Sequence, residues 1–72
     1  RRGIAAALVV ELEARARGLG KHAMIAGIEA GNAASIALHA GLGFVEVGRM
    51  PEVGRKFDRW LDLVLMQKIL AA

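Results

Sequence analysis

Ile4, Leu8 and Leu12, with Ala5, Val9 and Ala16 beside them, recur at helical spacing from about Ile4 to Arg17, while Glu11, Glu13, Arg15 and Arg17 fall mostly on the other side. Gly18 and Gly20 bracket the end of this helix, and Leu19 is expected to fold back as the apolar contact that accompanies a glycine stop. Lys21 to Glu29 is an apolar run of strand length between turn signals. It reads as a buried strand, with Gly27 marking a close backbone approach or a bulge. A short second helix is expected from Asn32 to about Leu42: Asn32 is a good N-cap, Ala33, Ile36, Ala37 and Ala40 form an apolar face, and Gly41 and Gly43 supply a left-handed stop. Phe44 to Met50 alternates apolar and polar residues like a half-exposed strand, and Pro51 forbids its simple continuation. Glu52 to Trp60 reads as a charged loop, Leu61 to Lys68 as a last strand, and Ile69 to Ala72 as an apolar tail.

The order helix, strand, helix, strand, strand belongs to the α/β (α+β) class. Its strand-helix-strand part favours a parallel crossover and its last two strands an antiparallel pair, so a small mixed sheet flanked by helices is expected. No internal repeat, low-complexity segment or linker interrupts the pattern.

Seventy-two residues allow one small domain, and a chain of this length buries only ~60% of the surface its unfolded form exposes. The usual supplements to such a core are missing: there is no cysteine, and His22 and His39 lack the company a structural metal needs. The composition is 56% hydrophobic and the mean hydropathy +0.42, which points to apolar surface held against a partner or against another part of the same protein. No apolar run reaches the ~18 residues of a membrane span, and Arg1-Arg2-Gly3 followed by alanines lacks the cleavage region of a signal peptide. A soluble cytoplasmic protein without membrane contact is the expectation. The net charge of +3 admits nucleic acid or an anionic ligand. The basic residues form no dense tract, and Phe44, Phe57 and Trp60 are not interleaved with them as a base-stacking platform would be, which argues against nucleic acid.

Two helix starts are the candidate chemistry. Arg1-Arg2-Gly3-Ile4-Ala5 joins basic residues and a glycine to unpaired helical N–H groups, an arrangement that suits a pyrophosphate. Asn32, with Ser35 one turn on, opens the second helix; Asn32 serves as a cap, a ligand contact, or both, and Ser35 reads more simply as a solvated hydroxyl. His39 is the one titratable side chain on that helix. His22, at the entry to a strand and without a partner in sequence, reads as structural.

Asn32-Ala33-Ala34-Ser35-Ile36-Ala37-Leu38-His39-Ala40-Gly41-Leu42-Gly43-Phe44 resembles the second half of the acyl-CoA-dependent N-acetyltransferases of the GNAT superfamily. Together with Gly27 to Gly31 and the run Pro51 to Gln67, it is similar to their phosphinothricin and methionine-sulfoximine acetyltransferase branch over nearly the full chain. The resemblance implies the C-terminal half of that fold over residues 1–72, with the preceding strand and a general-base glutamate upstream and this piece inactive alone. It implies acetyl-CoA as cosubstrate, a small amino-acid-like amine as acceptor, no metal, and a homodimer. Gly3 and Ala5 match the last two fixed positions of the family's pyrophosphate loop, whose Gln or Arg would fall one residue before Arg1. By the same resemblance Arg1, Arg2, Gly3, Ile4, Ala5, Asn32 and Ser35 face the cofactor, and His39 stands where the family often has a tyrosine that protonates the departing thiolate. An imidazolium can do this, since its ordinary value of ~6.5 lies below the ~8.5 of a thiol. Lys56, Phe57 and Trp60 border the acceptor pocket in this reading; otherwise Lys56 and Arg59 are solvated and the two rings cover the edge of a small core. Glu29 is not assigned as a base. The alternative class is a noncatalytic acyl-CoA-binding or dimerisation module.

Overall fold

The computed structural model describes residues 2–70 and contains α1 (Arg2–Gly18), β1 (Ala23–Glu29), α2 (Ala33–Gly41), β2 (Val45–Lys56) and β3 (Arg59–Ile69). Ala71 and Ala72 of the expected apolar tail lie outside the described residues, while Leu70 before them is buried. The strands form one sheet in the order β1-β3-β2. β1 and β2 do point the same way, as a crossover requires, but β3 lies between them, so both ladders are antiparallel.

Ile28, Phe44, Val64 and Met66 form the core, and Val9 of α1, Met24 and Ala26 of β1, and Ile36 and Leu42 at α2 pack against it. Both helices therefore lie on one face of the sheet. Ile25, Leu63, Leu65, Val45 and Met50 share the other face by ladder pairing and strand alternation. The smallest dimension, 17 Å, leaves room for one helix layer on one sheet. Gly27 lies on this second face in a regular ladder with no bulge. A Cβ there would stand 3.1 Å from Leu63 Cδ2, so the close approach is to a side chain.

α1 turns a different stripe to the sheet from the one its largest residues define. Ile4, Leu8 and Leu12 are 69%, 56% and 55% exposed, and the half-buried positions are Ala5, Ala6, Val9, Glu13 and Ala16. Small residues let the helix approach closely, and Glu13, expected outside, is drawn in by a cation. Its carboxylate meets Lys68 Nζ and Arg17 Nη2 at 2.8 Å each, and Arg17 also donates to the Leu70 carbonyl. The two cations hold the Glu13 carboxyl below the usual 4.5, with the Lys68 and Arg17 hydrogen bonds as the first causes.

Both helices end in the same hydrogen-bonded motif. After α1, Gly20 donates to Arg17 O and Lys21 to Ala16 O; after α2, Gly43 donates to Ala40 O and Phe44 to His39 O. Gly20 and Gly43 take the left-handed conformation, at φ 73° and 96°. Gly18 and Gly41 are still helical, contrary to the part expected of Gly41. Leu19 does not fold back: the contact in this motif belongs to the residue after the left-handed glycine, and Leu19 precedes it and stays exposed.

The expected loop from Glu52 to Trp60 is instead the end of a hairpin. β2 passes Pro51 through a register shift between Met50 and Gly54; Glu52 sits at φ 53° and gives its N–H to Asp62 Oδ1 at 2.9 Å in place of a ladder partner. The strand then pairs again up to Lys56 and Arg59, and Phe57 and Asp58, at φ 51° and 60°, make a two-residue turn of type I′. Neither aromatic covers a core edge, since Phe57 is 86% exposed and Trp60 more than half.

A phenylalanine in the left-handed region costs about 1–2 kcal/mol. In the full-length protein Phe57→Asn should therefore raise unfolding free energy by about 1 kcal/mol, read as a higher denaturant midpoint at constant slope; a lower midpoint would contradict the turn. Because its pKa is lowered on folding, Glu13 contributes stability that is whole above the usual glutamate value and is lost as pH falls through the lowered one. The melting temperatures of wild type and Glu13→Gln should thus differ at neutral pH and converge on acidification below that window.

Candidate functional site

Arg17 reaches the level of Leu70, which pairs with His22 through a 2.7 Å hydrogen bond, and Glu13 reaches the level of Lys68, which pairs with Met24. One such step of four helical residues covers about 6 Å and one of two strand residues about 6.6 Å. α1 therefore keeps step with the sheet, running against β1: Val9 falls near Met66 and Ala26, Ala5 near Val64 and Ile28, and the first turn near the end of β1. α2 starts directly after that end, at Asn32, and its last carbonyl, Leu42 O, is 2.7 Å from the same Lys68 Nζ. The two helices are thus roughly parallel, and both begin at the C-terminal edge of β1.

At that edge α1 begins at Arg2, so Gly3 and Ile4 fall at its second and third positions, whose N–H groups a helix leaves without an internal partner, while Ala5 is past them. Gly3 is open, with no atom within 4 Å of where a Cβ would stand. Arg1 lies outside the described residues, and Arg2 enters as helical backbone. Asn32 caps α2 through Oδ1, which accepts the Ser35 N–H at 3.1 Å. The cap uses the oxygen, so the side-chain NH₂ remains as a donor, and capping and ligand contact are compatible in one residue. Two parallel helix starts concentrate partial positive charge on one edge, which suits an extended anion.

His39 lies on the inner side of α2. Its Nδ1 is 2.8 Å from Ser35 O, and its ring meets Phe44 edge-on, centroids 5.1 Å apart. A carbonyl only accepts, so Nδ1 carries the proton and Nε2 of the neutral ring has none to give; donation from Nε2 requires the imidazolium. The Phe44 contact is also the apolar partner of the motif that ends α2, a role the sequence pattern did not reveal. The Glu29 carboxylate accepts the Gly31 N–H in its own turn.

β3 extends past the sheet body at this same edge. Trp60 lies three residues, about 10 Å, beyond Leu63, the partner of Glu29, and alternation puts it on the helix-bearing face. Lys56 and Trp60, expected together at the acceptor side, are separated. Trp60 pairs with Arg55, whose guanidinium lies 5.1 Å from its ring centroid; Lys56 pairs with Arg59 on the opposite face, its ammonium over Phe57 at 5.5 Å. A two-residue turn fixes this parity, which a loop would have left free. Among the described residues no three His, Asp or Glu side chains are grouped as a metal site needs, and no helix is long and apolar enough to cross a membrane.

Helix, strand and capped helix with both starts on one edge define an α/β module, and comparison with known proteins gives it a family. The model of the acetyltransferase (GNAT) family matches residues 1–44, and the chain belongs to that family. It is 56% identical over 66 residues to the L-methionine sulfoximine/L-methionine sulfone acetyltransferase of Pseudomonas paraeruginosa, covering 92% of this chain and 38% of that protein. It is 45% identical over 71 residues to the phosphinothricin N-acetyltransferase of Alcaligenes faecalis, covering 97% of this chain and 36% of that one. A crystal structure of a GNAT superfamily phosphinothricin acetyltransferase from Sinorhizobium meliloti in complex with acetyl-CoA superposes with a TM-score of 0.86 at 47% identity, over 94% of this chain and 37% of that one. The chain spans less than two-fifths of the length of these relatives.

His39→Ala removes both ring contacts and should cost the full-length protein about 1 kcal/mol of stability, whereas His39→Phe keeps the edge-on contact and should melt close to wild type. Equal losses in the two variants would mean that the Phe44 contact does not hold the end of α2.

Proposed function

We propose that the whole protein transfers the acetyl group of acetyl-CoA to the amine of a small amino-acid-like substrate of the methionine sulfoximine or phosphinothricin type, and that residues 1–72 are the C-terminal part of its catalytic domain. The observation that carries this reading is the shared edge of two parallel helix starts in a chain of the GNAT family. The names of the relatives support the acceptor class, and the acetyl-CoA complex of the superposed relative supports the donor. The exposed Ile4-Leu8-Leu12 stripe and the uncovered sheet face are apolar surface for the remainder of such a domain, and for the homodimer that belongs to the same reading.

In the reaction the neutral amine attacks the thioester carbonyl, the new C–N bond forms, the C–S bond breaks, and the nitrogen proton and the thiolate must be balanced by a base and an acid. The N–H groups of Gly3 and Ile4, with the charge of Arg1 and Arg2 and the small side chain of Ala5 beside them, hold the pyrophosphate. The Asn32 NH₂ and Ser35 hold the pantetheine arm, and this grip brings the thioester to a fixed depth along the edge. His39, charged and pinned at Nδ1, gives the Nε2 proton to the thiolate. Trp60 borders the acceptor. Lys56 stands on the other face of the hairpin from Trp60.

The test is a thermal shift of the full-length protein with acetyl-CoA, followed by thiol release across a panel of amines. A clear stabilisation is expected, about 2.7 kcal/mol at a hundredfold excess over Kd, with turnover on methionine sulfoximine or phosphinothricin; no shift at saturating acetyl-CoA would refute the proposal. Asn32→Ala should weaken acetyl-CoA binding beyond its cap loss of about 1 kcal/mol. His39→Phe should lower kcat about tenfold, less than the usual range for an acid because a thiolate already leaves readily.

A further inference from the structure

Among the described residues Lys68 hydrogen-bonds to both helices of the site, and nothing in the chemistry just described uses it. It stands on the helix-bearing face of the central strand. Its ammonium donates to Glu13 Oε1 of α1 at 2.8 Å and to Leu42 O, the C-cap carbonyl of α2, at 2.7 Å. The pair is well shielded, with 23% of the Lys68 and 15% of the Glu13 side chain exposed. The path of Lys68 to α2 runs over Gly43: a Cβ there would stand 3.2 Å from Lys68 Cε and 3.4 Å from Nζ. The glycine that ends α2 at φ 96° thus also makes the room through which the lysine reaches the helix end. Glu13 is held from its other side by Arg17, itself anchored on the Leu70 carbonyl, so the carboxylate cannot swing away without breaking two pairs.

We propose that Lys68, with Glu13, is a positioning residue for acetyl-CoA: it locks the mutual angle of α1 and α2 and thereby the spacing of the two helix starts. This rests on the acetyltransferase reading. α1 otherwise meets the sheet through Val9, flanked by half-buried Ala5, Ala6 and Ala16, small side chains that permit sliding and tilt, and through Arg17 at the Leu70 carbonyl, while α2 has nine residues and is anchored by Ile36 and Leu42. Without the clamp the helices stay packed, but their free ends lose a common reference. Because the clamp sits near the C-terminal ends of both helices, a small change of angle there becomes a larger displacement at the starts, two to three turns away.

The test uses the full-length protein and reads acetyl-CoA against amine. Lys68→Met, at a temperature where circular dichroism shows it folded, should raise the Kd and KM for acetyl-CoA about tenfold, with the KM of the amine within about twofold of wild type. Glu13→Gln should shift the same constants in the same direction and decides the matter if Lys68→Met does not fold. The double variant Glu13→Met with Lys68→Met replaces the ion pair by apolar contact; its melting temperature should recover while the KM for acetyl-CoA stays raised. Recovery of that KM together with the melting temperature, or single variants with unchanged acetyl-CoA constants, would overturn the assignment and leave the pair a stabilising contact. A wild-type protein that binds no acetyl-CoA would overturn the acetyltransferase reading itself, and this assignment with it.

Discussion

Both helices run against the direction of β1 on one side of the sheet, and the candidate site exists only because of that. A helix start has free N–H groups wherever it falls, but two starts act on one ligand only if the chain returns them to the same edge. The return is set at the opposite edge, where Gly20 and Gly43 turn the backbone left-handed within one residue and send it into the next strand. A side chain at either position would meet the steric cost that glycine avoids. The stops are therefore what aligns the starts, although the two lie at opposite ends of the helices.

The elements were legible where local chemistry decides them. Asn32 as cap, Gly20 and Gly43 as left-handed stops, and the apolar run before Gly27 each specify their conformation from near neighbours. What periodicity did not reveal was which face of α1 meets the sheet. Ile4, Leu8 and Leu12 define the greater apolar stripe, yet the half-buried side is Ala5, Ala6, Val9 and Ala16, because a helix lies closer over small side chains and because Lys68 draws Glu13 inward. Lys68 is 55 residues from Glu13 in the chain, so no local pattern links them. The larger stripe is then free to face another part of a longer protein.

The hairpin illustrates the opposite difficulty. Turn signals in a sequence are glycine, proline, asparagine and aspartate, and this turn has Asp58 but puts Phe57 at its first left-handed position. Pro51, which ordinarily ends a strand, is carried by a bulge whose lost ladder bond is made good by Asp62. Long-range pairing with β3 overrides both local signals. The consequence for function is parity: a two-residue turn leaves no freedom in which face Trp60 and Lys56 occupy, and it puts them on opposite ones.

The polar cluster between the helices is an expensive way to fill such a space. A shielded lysine and glutamate lose hydration that their attraction repays only when every donor and acceptor is used well, and apolar residues of similar size would pack at no such cost. Here the cluster is closely satisfied: Glu13 Oε1 takes Lys68, Oε2 takes Arg17, and Lys68 has the Leu42 carbonyl as well. Apolar contact tolerates a helix that slides by a fraction of an ångström, whereas hydrogen bonds of 2.7 to 2.8 Å made in two directions do not. Directionality is what the pair adds to this interface, and a site assembled from two separate helix starts is the kind that needs it.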